Sequence, residues 1–206
     1  MTPYYDAILF DFDGVLADTE PIHWRCWIEV LAPLPIDLTW EVYAANCIGV
    51  QDHDMLPFLS SLSKPPVAAE TLETFFSRKK DLFRSRVLEA SPIAAETVEL
   101  LRSLTGYRLG LVTSSGRLEV EPVIERAGVG DCFSTMVFGE DVGNHKPSPE
   151  PYLLAASRLD AKRPLVVEDS AAGIASAQAA GFTVIRVPAS SAVPGLVRIQ
   201  LLESKT

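Results

Sequence analysis

The chain has 206 residues, 48% of them hydrophobic and 22% charged, with a formal net charge of −9. Such a length fits one large domain, or one domain carrying a smaller inserted one, and the apolar share suffices for a sizeable core. The acidic balance argues against nucleic acid or an anionic membrane as partner, but not against a small anion, because one local cation can reverse the local field.

Residues 7–10, Ala-Ile-Leu-Phe, form a short apolar run of the kind shown by a strand buried on both faces. The run stops on Asp11-Phe12-Asp13-Gly14. Side chains alternate along a strand, so Asp11 and Asp13 leave the sheet end on one side, and Gly14 permits a sharp turn. Two carboxylates held together there repel each other, which makes sense if a cation or a shared proton lies between them. The stretch that follows is wholly helical in pattern. Pro21 with Ile22, Cys26 and Val30 predicts a helix ended by Pro33 and Pro35. Further helices are predicted over 37–47 and 51–62, separated by Gly49. After the break at Ser63-Lys64-Pro65-Pro66 another runs over 67–87, with Leu72, Phe75, Phe76, Leu82 and Phe83 on its apolar face.

From Ser91-Pro92 onward, strand and helix alternate. Helices are predicted over 96–104, 118–127, 149–158 and 170–180, and strands over 108–112, 135–138, 165–167 and 183–187. Ser148 is the expected N-cap of the third of these helices, with Pro149 in its first turn. The alternation implies an α/β fold with a doubly wound parallel sheet and helices on both faces. Residues 1–16 and 92–206 are then the α/β core, and 17–91 a helical insertion after the first strand. In such sheets ligands bind outside the C-terminal strand ends, where Asp11 and Asp13 point. The cysteines, Cys26, Cys47 and Cys132, are widely spaced without a C-x-x-C and read as thiols of a reducing compartment. With no signal peptide and no stretch of the ~18 apolar residues that a membrane span requires, the expectation is a cytoplasmic protein without a membrane partner.

Three more segments meet that expectation of a site at the strand ends. Strand 108–112 runs into Thr113-Ser114-Ser115-Gly116, whose hydroxyls and backbone N–H groups suit a phosphate, though an ordinary helix cap reads the same way. Strand 165–167 runs into Glu168-Asp169-Ser170, an acidic pair that suits Mg²⁺ or a simple turn with an N-cap. Lys146, in His145-Lys146-Pro147, is the cation best placed to face the carboxylates. Alone, a lysine there is an ordinary surface charge.

In that order the segments resemble the four motifs of the haloacid dehalogenase-like hydrolase superfamily. Asp11-Phe12-Asp13-Gly14-Val15-Leu16 matches the first, Thr113 the second, Lys146 the third and Glu168-Asp169 the fourth. Glu168-Asp169-Ser170-Ala171-Ala172-Gly173-Ile174 is similar to the branch that holds phosphoglycolate phosphatases and β-phosphoglucomutases. The resemblance implies a Rossmann-like core with a small α-helical cap, swinging on hinges near 15–19 and 88–92. It implies an aspartyl-phosphate mechanism, with Asp11 as nucleophile and Asp13 as general acid and base. Mg²⁺ would be held by Asp11, the Asp13 carbonyl, Asp169 and Glu168, the last directly or through water. Thr113 and the N–H groups of Phe12, Asp13 and Ser114 would receive the phosphoryl oxygens. A phosphate dianion beside ionised Asp11, Glu168 and Asp169 carries about −5, which Mg²⁺ and Lys146 reduce to about −2.

Dehalogenases need no Mg²⁺ and carry a different residue at the Asp13 position, so the expected reaction is phosphoryl transfer. In the inserted block, His23 and Lys79 (of Arg78-Lys79-Lys80) are the residues implied to reach the substrate, while Trp24 and Trp27 are expected in the core of that block. The mutases carry a serine and an arginine after the glycine corresponding to Gly49. This chain has Val50-Gln51-Asp52 there, with neither a bidentate donor nor a positive charge. The expectation is therefore a monomeric phosphatase of a small phosphorylated metabolite. A sugar-phosphate mutase is the alternative, and a non-catalytic phospho-acceptor module the remote one.

Overall fold

In a computed structural model, the structure describes residues 4–48, 50, 52–87, 89 and 91–204. Gly49, Gln51 and Leu88, which figure in the expectations above, lie outside them. The elements are β1 (Ala7–Phe10), α1 (Glu20–Leu31), α2 (Trp40–Asn46), α3 (Leu56–Ser61), α4 (Ala69–Val87), α5 (Ala95–Ser103), β2 (Arg108–Val112), α6 (Arg117–Ala127), β3 (Phe133–Val137), α7 (Glu150–Arg158), β4 (Pro164–Glu168), α8 (Ala171–Ala179), β5 (Thr183–Arg186) and α9 (Val193–Glu203). Two compact units result: residues up to Asp18 together with those from Ser91 on, and Thr19–Ala90.

The first unit is built on a five-stranded, all-parallel sheet in the order β3-β2-β1-β4-β5. Every residue of β1 and β4 is buried, which explains their unbroken Ala-Ile-Leu-Phe and Leu-Val-Val runs. The chain order reverses between β1 and β4, the place at which sheets of this kind bind ligands beyond their C-terminal strand ends. Register aligns Phe10 with both Leu111 and Val167, so Asp11 emerges level with Val112 and Glu168. On one side of the sheet Ala7, Leu9, Val112, Val137 and Val166 pack with Tyr152, Ala155 and Ala177 of α7 and α8.

The second unit has its own core. In α1 the buried residues His23, Cys26, Trp27, Val30 and Leu31 recur at three- and four-residue steps. Trp27, Val30 and Leu31 meet Tyr43, Leu59 and Leu72, and Trp24 packs at the edge. Trp27 is fully buried in this core, and Trp24 is partly buried against it.

Several local expectations are corrected. α2 starts at Trp40 because Thr39 accepts a hydrogen bond from Val42 N at its N-cap. The helix expected over 51–62 divides into a 3₁₀ turn at Asp52–Met55 and α3, with Pro57 in the first turn of α3. β3 begins earlier, at Phe133. β4 continues through Glu168, whose carbonyl accepts from Val187 N. Pro149, not Ser148, is the N-cap of α7, although Ser148 Oγ accepts from Glu150 N at 3.3 Å. α9 has no counterpart in the sequence expectation. Among the described residues, no helix is long and apolar enough to cross a membrane.

Candidate active site

Lys146 lies at the centre of the C-terminal sheet edge. Its Nζ donates to Asp11 Oδ1 (2.5 Å), Glu168 Oε1 (2.7 Å) and Val112 O (3.0 Å). Segments 135 and 22 residues away in sequence thus meet on one buried ammonium. Burial alone would lower its pKa, but the charges of Asp11 and Glu168 outweigh that and hold it well above the ordinary lysine range.

The carboxylates around it differ. Asp11 is pushed well above the usual range by burial, with Glu168 and Asp13 adding to the push against the pull of Lys146. Burial also acts on Glu168, yet Lys146, Tyr152 and Ser170 hold its pKa below the ordinary value. Its Oε1 accepts from Tyr152 Oη (2.9 Å) as well as Lys146. Its Oε2 accepts from Asp169 N (2.9 Å), Ser170 N (3.0 Å) and Ser170 Oγ (3.1 Å). Asp169 is pushed up to about 6 by burial and then by the Glu168 charge. Burial likewise keeps the Tyr152 hydroxyl protonated, and so a donor.

One carboxylate oxygen each from Asp11, Glu168 and Asp169 can be chosen so that all lie within 4.8 Å of one another. Asp169 Oδ1 is buried and finds no hydrogen-bond partner among the described residues. Buried polar atoms are rarely left so, and hard oxygens gathered in this way fit a divalent cation such as Mg²⁺. Two glycines make the cluster possible. Gly14 has φ +75°, and a Cβ there would fall 2.1 Å from Asp169 Oδ2. A Cβ on Gly173 would fall 1.5 Å from Glu168 Oε1. Only residues without side chains leave room for the two acids.

Asp13 stands apart from the three. Its Oδ2 accepts from Ser115 Oγ at 2.7 Å, within the turn after β2. Thr113 is buried, and its Oγ1 accepts from Ser115 N (3.0 Å) while its own N donates to Val137 O (3.0 Å). Phe12 is buried, and its carbonyl accepts from Leu16 N and Ala17 N in the turn. Gly139 brings its loop against Ser114: a Cβ there would fall 2.5 Å from Ser114 O. The turn at α6 is braced by Glu140, which accepts from Arg117 N at the first residue of the helix.

His23 and Lys79 belong to the second unit. They meet there, with Lys79 Nζ 2.5 Å from His23 Nδ1, and His23 stacks on Phe83. Lys79 is fully buried, 5.1 Å and 5.7 Å from the ring centres of Phe83 and Trp27. Arg78 and Lys80 lie instead over Phe75 and Phe76. Tyr152 is a residue of the cluster that the sequence did not single out, and Gly173 entered only as part of the motif over 168–174.

Known proteins are similar to this chain over most of its length. A phosphorylated carbohydrates phosphatase of Thermotoga maritima is 34% identical over 183 residues, which cover 86% of this chain and 82% of that protein. A phosphoglycolate phosphatase of Salmonella typhi is 31% identical over 197 residues, covering 85% and 78%. Among solved structures, that of CbbY from Rhodobacter sphaeroides in complex with phosphate has a TM-score of 0.77 at 28% identity, covering 89% of this chain and 86% of that one. With the model of the haloacid dehalogenase-like hydrolases matching residues 8–187, the chain belongs to that family.

Proposed function

We propose that the protein is a Mg²⁺-dependent phosphatase that hydrolyses small phosphorylated metabolites, sugar phosphates among them, through an aspartyl phosphate on Asp11. The observation that carries the reading is Lys146, whose ammonium binds Asp11 and Glu168 beside the unsatisfied Asp169 oxygen. The printed names of the relatives, a phosphorylated carbohydrates phosphatase and a phosphoglycolate phosphatase, support the substrate class.

Asp11, held by one oxygen on Lys146, directs its other oxygen at phosphorus, and the bond from phosphorus to the leaving oxygen breaks as the aspartyl bond forms. Asp13, positioned by Ser115, gives its proton to the leaving oxygen. It then takes a proton from the water that attacks the phosphorus and releases Asp11. Thr113 and the N–H groups of Phe12, Asp13 and Ser114 are assigned to the transferring oxygens. The Asp11 and Asp169 carboxylates and the Asp13 carbonyl would hold the cation, with Glu168 directly or through water. Once bound, the cation would neutralise charge between phosphate and nucleophile. The Thr19–Ala90 unit is read as the family's cap, and its His23 and Lys79 as candidates for selecting among esters.

The test is hydrolysis of p-nitrophenyl phosphate with Mg²⁺ and with EDTA, beside Asp11→Asn. Turnover is expected with Mg²⁺ alone and only in the parent; undiminished turnover in Asp11→Asn overturns the assignment. A screen of phosphorylated metabolites then finds the substrate, and efficient isomerisation of a hexose 1-phosphate primed by its bisphosphate would reassign the protein as a mutase.

A further inference from the structure

Tyr152 is fully buried on α7 and has no part in the reaction as written. Its hydroxyl nevertheless donates to Glu168 Oε1 at 2.9 Å, the oxygen that also receives Lys146 Nζ at 2.7 Å. An ammonium has three N–H donors, and those of Lys146 are engaged by Asp11, Glu168 and the Val112 carbonyl. The Tyr152 ring lies beside the ammonium, with its centre 5.1 Å from Nζ, where the π face attracts the charge. Glu168 is equally engaged: two donors on Oε1 and three on Oε2, against about four lone-pair sites on a carboxylate.

We infer that Tyr152 is a positioning residue of the active site, which acts through Glu168 to fix the Lys146 ammonium against Asp11. The inference rests on the reading of Asp11 as nucleophile. With the tyrosine hydroxyl in place, Oε1 shares its electron density between two donors and its direction is fixed. Without it, Oε1 becomes the stronger acceptor for Lys146 alone and is free to turn, so the ammonium is drawn from Asp11 towards Glu168. The reacting oxygen then loses its alignment, and small misplacements of that kind are costly in rate.

The test compares the full-length parent with Tyr152→Phe, which keeps the ring and removes the hydroxyl, each alone and on a Glu168→Ala background. Tyr152→Phe is expected to lower kcat for p-nitrophenyl phosphate about tenfold, the worth of one hydrogen bond to a charged group, with KM changed less than about twofold. On the Glu168→Ala background the same substitution should change kcat less than about twofold, because its partner is gone. A second readout needs no turnover. In ¹⁵N-labelled protein the buried Lys146 ammonium should give a slowly exchanging signal, assigned by its loss in Lys146→Met, that shifts or broadens in Tyr152→Phe. An unchanged kcat, equal losses on both backgrounds, or an unmoved ammonium signal overturns the inference. A parent without Mg²⁺-dependent hydrolysis would instead sink the phosphatase reading, while the ammonium signal still decides the role of Tyr152.

Discussion

Two carboxylates lean on the same ammonium, Asp11 after β1 and Glu168 at the end of β4. They stand level in the sheet, both are buried, and their oxygens lie 2.5 Å and 2.7 Å from Lys146 Nζ. Their environments diverge from there. Glu168 receives four further donors, from Tyr152, Asp169 and Ser170, and its pKa is held down against burial. Asp11 is pushed up by burial, and Lys146 is the main counterweight. The difference separates two tasks. Donors gather on Glu168, which anchors the cluster, while Asp11, the proposed nucleophile, is held by fewer of them, at a cost in native stability of the kind that active sites commonly carry.

Neutralising each acid in turn separates their roles most strongly. Asp11→Asn should reduce turnover at least about 1000-fold. Its thermal unfolding midpoint in EDTA should equal or exceed that of the parent, since the amide replaces an anion that burial disfavours; a clearly lower midpoint would contradict the contrast. Glu168→Gln should instead cost about 3 kcal/mol in denaturant unfolding, because a buried ammonium and several donors lose their anion. Equal stability of parent and Glu168→Gln would remove its anchoring role.

A smaller effect is expected from crowding the anchor. Gly173→Ala places a methyl group 1.5 Å from the present Glu168 Oε1 and should destabilise by about 1–3 kcal/mol. Gly106→Ala, with nothing within 4 Å of the added carbon, should stay within about 0.5 kcal/mol. Matching losses at the two glycines would show that the Glu168 pocket is not tight.

The smallest effect concerns Asp169. Its carboxyl is pushed up to about 6 from an ordinary 3.8, so between those pH values the native protein holds a proton that the unfolded chain has released. Stability in EDTA should therefore fall as pH rises through that window, and Asp169→Asn should flatten that part of the curve. A cation competes with the same proton, so Mg²⁺ affinity by calorimetry should weaken below about pH 6. Parallel unfolding curves for parent and variant would exclude Asp169 as the source.

Much of the site is legible in the chain because its signals are local. An apolar run that ends on two acids marks a strand end, as at Asp11 and Glu168. The meeting of Lys146 with both acids is not a local signal; it is expected from the resemblance to the hydrolase motifs in their order, and the strand order that sets β1 beside β4 comes from the structure. Tyr152 could not be read, since a buried aromatic on a helix looks like any core residue until its hydroxyl partner is placed. Gly173 looks like a weak point in a helix, and only packing reveals that a carboxylate fills the space of its missing side chain. Lys79 did leave a trace. Leu72, Lys79, Phe83 and Val87 are spaced by seven, four and four residues and lie on one buried face, so helical phase places the lysine inside. α9 follows the last strand, where the alternation offers no frame to recognise it.

β1 and β4 run in unshifted parallel register from Ala7 opposite Pro164 to Phe10 opposite Val167. Because side chains alternate, a single deletion within the four residues of β1 would turn Asp11 to the far face, away from Lys146. Insertions in the connecting loops carry no such penalty. Strand length thus acts as a reading frame for the cluster: the chain can lengthen around the sheet, but not along it.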